Sequence, residues 1–268
     1  MQAIVMLGHG TKDAEGVAEF LGYAEGLRRR SGVWVTAGVL EYPTAELPPI
    51  QEAFDRAVAA GASEIVALPI LLFFAGHTRH DIPREVLAAQ SRHPNVGISV
   101  AGPLAIDDRL LSAVEDRLRP FGQDADSAVL LVGRGSLNSE ANADLHKTAR
   151  MLWDRNGYGA VEASFISVAL PGVPAGIERC VRLGARRVVV MPYFLNTGVL
   201  VKRIATQAHH PAVDVRVAGH LGLHENVFEV LLQRVDQARS GDCPCRAATG
   251  CRIPQLSCSK GLACLAPA

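Results

Sequence analysis

Apolar residues in this chain come in short unbroken runs, separated by longer stretches in which they recur every three or four positions. In the first half the runs fall near residues 3–7, 33–40, 64–72 and 97–100. Helical periodicity fills the gaps near 15–30, 46–60, 81–90 and 107–118. In the second half, runs near 128–132, 161–168, 187–192 and 214–217 repeat the series. The runs do not alternate apolar with polar, which is the pattern of parallel strands covered on both faces. Strand–helix alternation of this kind predicts an open parallel α/β sheet with right-handed crossovers.

The two halves also share local sequence. Val5-Met6-Leu7-Gly8-His9-Gly10-Thr11 is echoed by Leu130-Leu131-Val132-Gly133-Arg134-Gly135-Ser136. The stretch from Gly61 to Pro69 returns from Gly184 to Pro192, and Val100-Ala101-Gly102-Pro103-Leu104 returns as Val217-Ala218-Gly219-His220-Leu221. The echoes keep their order at offsets between 117 and 128 residues. A period of that length is a duplicated domain, too long for a solenoid. The expected organisation is a first lobe over 1–122, a second over 123–240 and a tail over 241–268, with the turn formers around Pro120-Phe121-Gly122-Gln123-Asp124 as linker.

Ligands of open parallel sheets sit beyond the carboxyl ends of the strands. His9 follows the first strand between two glycines, and His77 follows the third after Gly76. Two imidazoles on one rim are the start of a divalent-metal site, and Glu41, ending the second strand, can add a carboxylate. Each has a plainer reading: His9 bonded to a loop carbonyl, Glu41 a charge at a helix start. His80 reads as a loop or first-turn residue, and Asp81 as the N-cap of a helix starting near Ile82-Pro83. The duplication weighs these readings. At the positions of His9, Glu41 and His77 the second half carries Arg134, Ala169 and, approximately, Val199. Residues that only served the fold would be needed in both copies, so one metal site on the first lobe is expected. Arg134 then suits a substrate carboxylate, with Lys12, Arg79, Lys202 and Arg203 near the same rim as ordinary surface charges or helpers.

Composition removes several function classes. Lys plus Arg and Asp plus Glu number 27 each, aromatic residues make up 5%, and no basic stripe is present, so neither nucleic acid nor a membrane is expected as partner. No secretory signal precedes the first strand, and the longest apolar run, Ile65 to Ala75, is broken by Pro69, so a soluble cytoplasmic protein is expected.

These motifs resemble the class II tetrapyrrole chelatases, in particular the CbiX-type sirohydrochlorin cobaltochelatases and the sirohydrochlorin ferrochelatases. The resemblance rests on Gly8-His9-Gly10-Thr11, Glu41-Tyr42-Pro43, the run from Leu68 to Leu72 leading into Gly76-His77, and His80-Asp81-Ile82-Pro83. In the second half it rests on Gly133-Arg134-Gly135-Ser136, the run from Met191 to Leu195, and Gly198. It implies two Rossmann-like or flavodoxin-like chelatase lobes facing a central cleft. It implies insertion of Co²⁺ or Fe²⁺ into sirohydrochlorin, for cobalamin or siroheme synthesis. His9 and His77 become the catalytic pair, with Glu41 as a third metal-site residue and Arg134, Lys12 and Arg79 for the substrate. The metal is a substrate and no organic cofactor is required. The two lobes form an internal pseudo-dimer, so a monomer is expected. A metal or tetrapyrrole carrier without turnover is the competing reading; a phosphoryl-transfer enzyme using His9 as nucleophile would want more arginines around it.

The tail differs from the rest. Five of the six cysteines lie between Cys243 and Cys264, among Gly, Ala, Pro and Ser. Their spacing matches neither a zinc ribbon nor a ferredoxin. An iron–sulfur or metal-binding tail is one reading, a thiol-rich terminus without metal the other.

Overall fold

The structure, a computed structural model, describes residues 1–73 and 78–241, the side chains of 78–80 excepted. The chain runs β1 (Gln2–Gly8), α1 (Ala14–Ser31), β2 (Trp34–Val39), α2 (Ile50–Ala59), β3 (Glu64–Pro69), α3 (Thr78–Arg92), β4 (Gly97–Val100) and α4 (Asp108–Leu118). The series repeats as β5 (Ser127–Gly133), α5 (Ser139–Arg155), β6 (Ala160–Phe165), α6 (Val173–Arg182), β7 (Arg187–Pro192), α7 (Val199–Gln207), β8 (Asp214–Val217) and α8 (Glu225–Ser240).

The strands form two four-stranded parallel sheets, ordered β2-β1-β3-β4 and β6-β5-β7-β8. The unbroken apolar runs are buried as expected. Ala3 through Leu7 and Ala128 through Val132 are fully buried, because each central strand is covered on both faces. Each large aliphatic side chain so buried contributes about 1.5–3 kcal/mol. Around β1, Val5 and Leu7 pack with Ile50, Phe54, Ile65 and Ile82. Around β5, Leu130 and Val132 pack with Val173, Ile177, Val188 and Ile204. Cys180 belongs to this second core; burial pushes its thiol up to about 12, so it is an inert core residue. Among the described residues no helix is long and apolar enough to cross a membrane.

Helix starts decide where the rim loops end. Asp13 caps α1 by accepting from the N–H groups of Glu15 and Gly16 at 3.1 and 3.2 Å. Asn138 occupies the matching place before α5 and accepts from Glu140 at 3.0 Å. Two helix starts differ from the sequence expectation. α2 begins at Ile50, not near residue 46, because Pro48 and Pro49 hold the chain extended beside β2, where the Pro48 carbonyl accepts from Val39 at 3.0 Å. α3 begins at Thr78, so Asp81 lies in its first turn and pairs with Arg84 at 3.2 Å instead of capping Ile82. Pro83 is carried inside that helix. β3 also stops early, at Pro69. Beyond it the carbonyls of Leu71 and Leu72 accept from Leu104 and Ala105 at 2.9 and 2.8 Å, which joins the segments following β3 and β4.

The compact units are cut differently from the sequence halves of 1–122 and 123–240. Among the described residues, one comprises those of Met1–Ala105 with α8 from Phe228, the other Ile106–Val227. The helix that follows each sheet in the chain thus completes the other unit. In the first, Phe228 of α8 lies 5.4 Å from the Tyr23 ring, with the Arg30 guanidinium 4.0 Å over its face. In the second, Arg117 of α4 donates to the Leu221 carbonyl at 2.7 Å, and Glu115 pairs with Arg155 at 3.2 Å. An amphipathic pattern specifies that a helix packs on a sheet but not which sheet.

Candidate functional site

Two loops at the carboxyl end of the first sheet bring His9 and Glu41 side by side. β1 and β2 are hydrogen-bonded neighbours, and the pairing continues past the strands: Leu40 donates to the Gly8 carbonyl at 3.1 Å and Glu41 to the His9 carbonyl at 2.8 Å. The imidazole Nδ1 then stands 4.0 Å from a Glu41 carboxylate oxygen. Nδ1 is itself buried and has no hydrogen-bond partner among the described residues, while the His9 side chain is 29% exposed. Among the described residues no loop carbonyl is bonded to Nδ1. The ring presents its other edge outward.

Both glycines flanking His9 are sterically required. A Cβ on Gly8 would meet the Phe20 ring of α1 at 2.6 Å. Gly10 sits at φ +95, and a Cβ there would lie 1.8 Å from the Glu41 carbonyl oxygen. Gly10→Ala should therefore push the two loops apart. A misplacement of about 1 Å commonly costs about a hundredfold in rate, so a comparable fall in the chain's activity is expected. Steady-state rates compared with wild type check this, and a fully active variant would show that the loop spacing is immaterial.

Tyr42 adds a second strained position, a non-glycine residue at φ 53. Its ring receives the Lys12 ammonium 4.8 Å from the centroid. Lys12 thus lies on the predicted rim, engaged by an aromatic face beside Glu41. His77 lies outside the described residues, as does the Arg79 side chain, and the tail cysteines fall in the undescribed stretch 242–268. Among the described residues, no group of three or more His, Cys, Asp or Glu is placed to hold a metal ion.

In the second unit Arg134 follows β5 where His9 follows β1, and its side chain is exposed. Its carbonyl accepts from Ser167 at 3.0 Å, the bond that pairs His9 with Glu41 in the first unit. The counterpart of Glu41 is therefore Ser167 and not Ala169, because the loops leaving β2 and β6 differ in length. The asymmetry survives the correction: His and Glu on one rim, Arg and Ser on the other. Arg203 is bonded to the Ile166 carbonyl and so braces a rim loop. Lys202 is exposed on α7.

Histidines that serve the fold behave differently. His93 Nε2 lies 2.7 Å from Asp55, which also binds Arg92 at 2.6 Å. In the second unit His210 Nε2 lies 3.2 Å from Glu178, which binds Arg182 at 2.8 Å. This latch recurs in both copies, as a structural role demands, whereas His9 does not recur. The Glu178 carboxyl is held below its ordinary value, first by the Arg182 hydrogen bond and next by His210. A carboxylate depressed in this way adds stability above its unfolded value and loses it as acid protonates it. Glu178→Gln should therefore flatten the loss of melting temperature between roughly pH 5 and pH 3, with activity at neutral pH unchanged. Melting curves across that range test it, and an acid profile identical to wild type would remove the latch's contribution.

Taken together, the fold and rim define a two-lobed parallel α/β protein that carries an imidazole and a carboxylate on one sheet and a guanidinium at the matching place on the other. The family model CbiX matches residues 3–120 and 128–238, and the chain belongs to that family. Sirohydrochlorin cobaltochelatase from Priestia megaterium is 34% identical over 253 residues, covering 90% of this chain and 81% of that protein. Sirohydrochlorin ferrochelatase from the same organism is 29% identical over 242 residues, covering 88% and 90%. SirB from Bacillus subtilis with Fe³⁺ superposes at a TM-score of 0.75 with 29% identity, over 89% of this chain and 96% of that one.

Proposed function

We propose that the chain is a sirohydrochlorin chelatase that inserts Co²⁺, and secondarily Fe²⁺, into the macrocycle. The observation that carries this reading is the His9–Glu41 pair, present on one rim of a duplicated fold and replaced on the other. Family membership and the named activities of the relatives support it.

Insertion exchanges two pyrrole N–H protons for one divalent ion, so the site must hold a cation and accept protons. Neutral imidazole binds cobalt and iron well. With Nδ1 of His9 turned toward Glu41, Nε2 is the nitrogen for the ion. Glu41, with a carboxylate oxygen 4.0 Å from Nδ1, adds a negative charge beside the imidazole that favours a bound cation. Histidine can act as base or ligand, and a carboxylate beside it can hold the ion and accept protons released during insertion. His77 is the second metal ligand. Arg134, Lys12 and Arg79 supply cations for the substrate's carboxylates. The cytoplasm, where thiols stay reduced, is the proposed location.

The test is anaerobic incubation with sirohydrochlorin and Co²⁺ or Fe²⁺, singly and in competition, followed through the macrocycle absorption bands. Insertion faster than the uncatalysed rate, with cobalt preferred, is the expected result. Binding of the macrocycle without acceleration would make the protein a carrier.

A further inference from the structure

Large apolar side chains are exposed unevenly in this molecule, and four of them follow strand ends on the carboxyl rim of the second sheet. Leu137 follows β5 and is 93% exposed, Val168 and Leu170 follow β6 at 55% and 86%, and Val199 opens α7 at 66%. Single exposed apolar residues need no explanation, but a cluster on a ligand-bearing rim does. The loops that carry them are joined. Arg134 accepts from Ser167, a Cβ on Gly135 would lie 2.8 Å from the Ala169 nitrogen, and Arg203 of α7 is bonded to Ile166.

Hydrogen bonds tie down the backbone on either side of two of these side chains. Leu137 sits between Ser136 and Asn138. Ser136 exchanges hydrogen bonds with the Asn142 amide at 2.9 and 2.8 Å, and Asn138 caps α5. Leu170 precedes Pro171, whose carbonyl accepts from the Phe165 N–H at 2.9 Å and the Ser164 hydroxyl at 2.7 Å. Fixed loops that present apolar groups to solvent lose little freedom when a ligand covers them. The duplication supplies the contrast. Measured from the matching N-caps Asp13 and Asn138, the place of Leu137 is taken in the first unit by Lys12, and that of Arg134 by His9. One rim carries a ligand and a cation; the other carries a cation set among apolar groups.

We infer that this second rim is the platform for the macrocycle, with Leu137, Val168, Leu170 and Val199 lying against the ring face and Arg134 taking a peripheral carboxylate. The assignment rests on the chelatase reading above and names substrate-positioning residues within it. An amphipathic ligand with a flat apolar face and anionic edges matches both halves of the rim's chemistry, which a purely anionic or purely apolar ligand does not.

The test uses the full chain and metal-free sirohydrochlorin under anaerobic conditions. Leu137→Ser/Leu170→Ser should raise the Kd from absorbance titration, and the KM for the macrocycle, by about tenfold or more, since each substitution removes most of a leucine's apolar contact. The kcat at saturating macrocycle and the KM for Co²⁺ should stay near wild type, as should thermal melting, because both side chains are exposed. Val199→Ser should weaken binding in the same direction. Leu183→Ser, 61% exposed at the C-cap of α6, is the surface control and should change nothing. If wild type inserts the metal while the double variant binds and turns over like wild type, the platform is refuted and the chelatase reading stands. If wild type neither binds the macrocycle nor accelerates insertion, the chelatase reading fails and takes the platform with it.

Discussion

His9→Ala is expected to lower metal insertion by about 10²–10⁴-fold, the usual range for removing a residue that handles protons or a reacting ion. The loss should leave the fold intact. His9 lies beyond the end of β1, its side chain is 29% exposed, and among the described residues its Nδ1 has no hydrogen bond to lose. His77→Ala should behave alike, abolishing insertion with unchanged melting. The double variant should be little worse than either single, because two ligands of one ion act as a unit. Steady-state insertion assays at saturating Co²⁺, paired with thermal melting, provide the check. Either variant retaining near wild-type activity would remove that histidine from the site.

The largest stability effect is expected at Arg234, a charge that the sequence reading did not single out. Its side chain is 5% exposed on α8. Nε donates to the Pro103 carbonyl at 3.0 Å and Nη2 to the Leu104 carbonyl at 2.7 Å, while Nη1 binds the Gln233 and Gln237 side-chain oxygens. Leu104 and Ala105 donate in turn to the Leu71 and Leu72 carbonyls, and Ala105 sits at φ 57. The guanidinium therefore holds α8 against the segment that braces the end of β3. Arg234→Met keeps most of the apolar stem and strands two carbonyls. A hydrogen bond to a charged group is worth about 1.5–3 kcal/mol, so a loss of about 3 kcal/mol or more is expected. In a domain of this size that lowers the melting temperature by roughly 6–12 °C. Scanning calorimetry measures it, and a variant melting with wild type would show that those carbonyls find other partners at no cost.

Much of this fold was legible because its signal is local. Ala3 to Leu7 is apolar at every position because both faces of β1 are covered, and the same holds for β5. His9 and Glu41 could be placed together because parallel neighbours deliver their strand-end residues to one rim. What sequence could not supply depends on geometry over distance. Ala169 stood in for Ser167 because loop lengths, not sequence echoes, decide which residue meets the Arg134 carbonyl. Arg203 and Lys12 looked like surface charges, yet one is bonded to a carbonyl and the other stacked on Tyr42. α8 follows the second sheet in the chain and packs with Tyr23 in the first unit, an exchange that periodicity does not encode. The exposed apolar cluster at Leu137 and Leu170 was hidden for the opposite reason: a leucine in a sequence is assumed to be inside.

One divalent ion held by His9 and His77 is the core of the proposed function. Anomalous diffraction at the cobalt edge, from crystals of the full chain soaked anaerobically with Co²⁺, addresses it directly. The expected map shows a single strong peak bonded to His9 Nε2 and a nitrogen of His77, with Glu41 beside it. A peak on the second rim at Arg134 or on the C-terminal cysteines, with no density at His9, would contradict it.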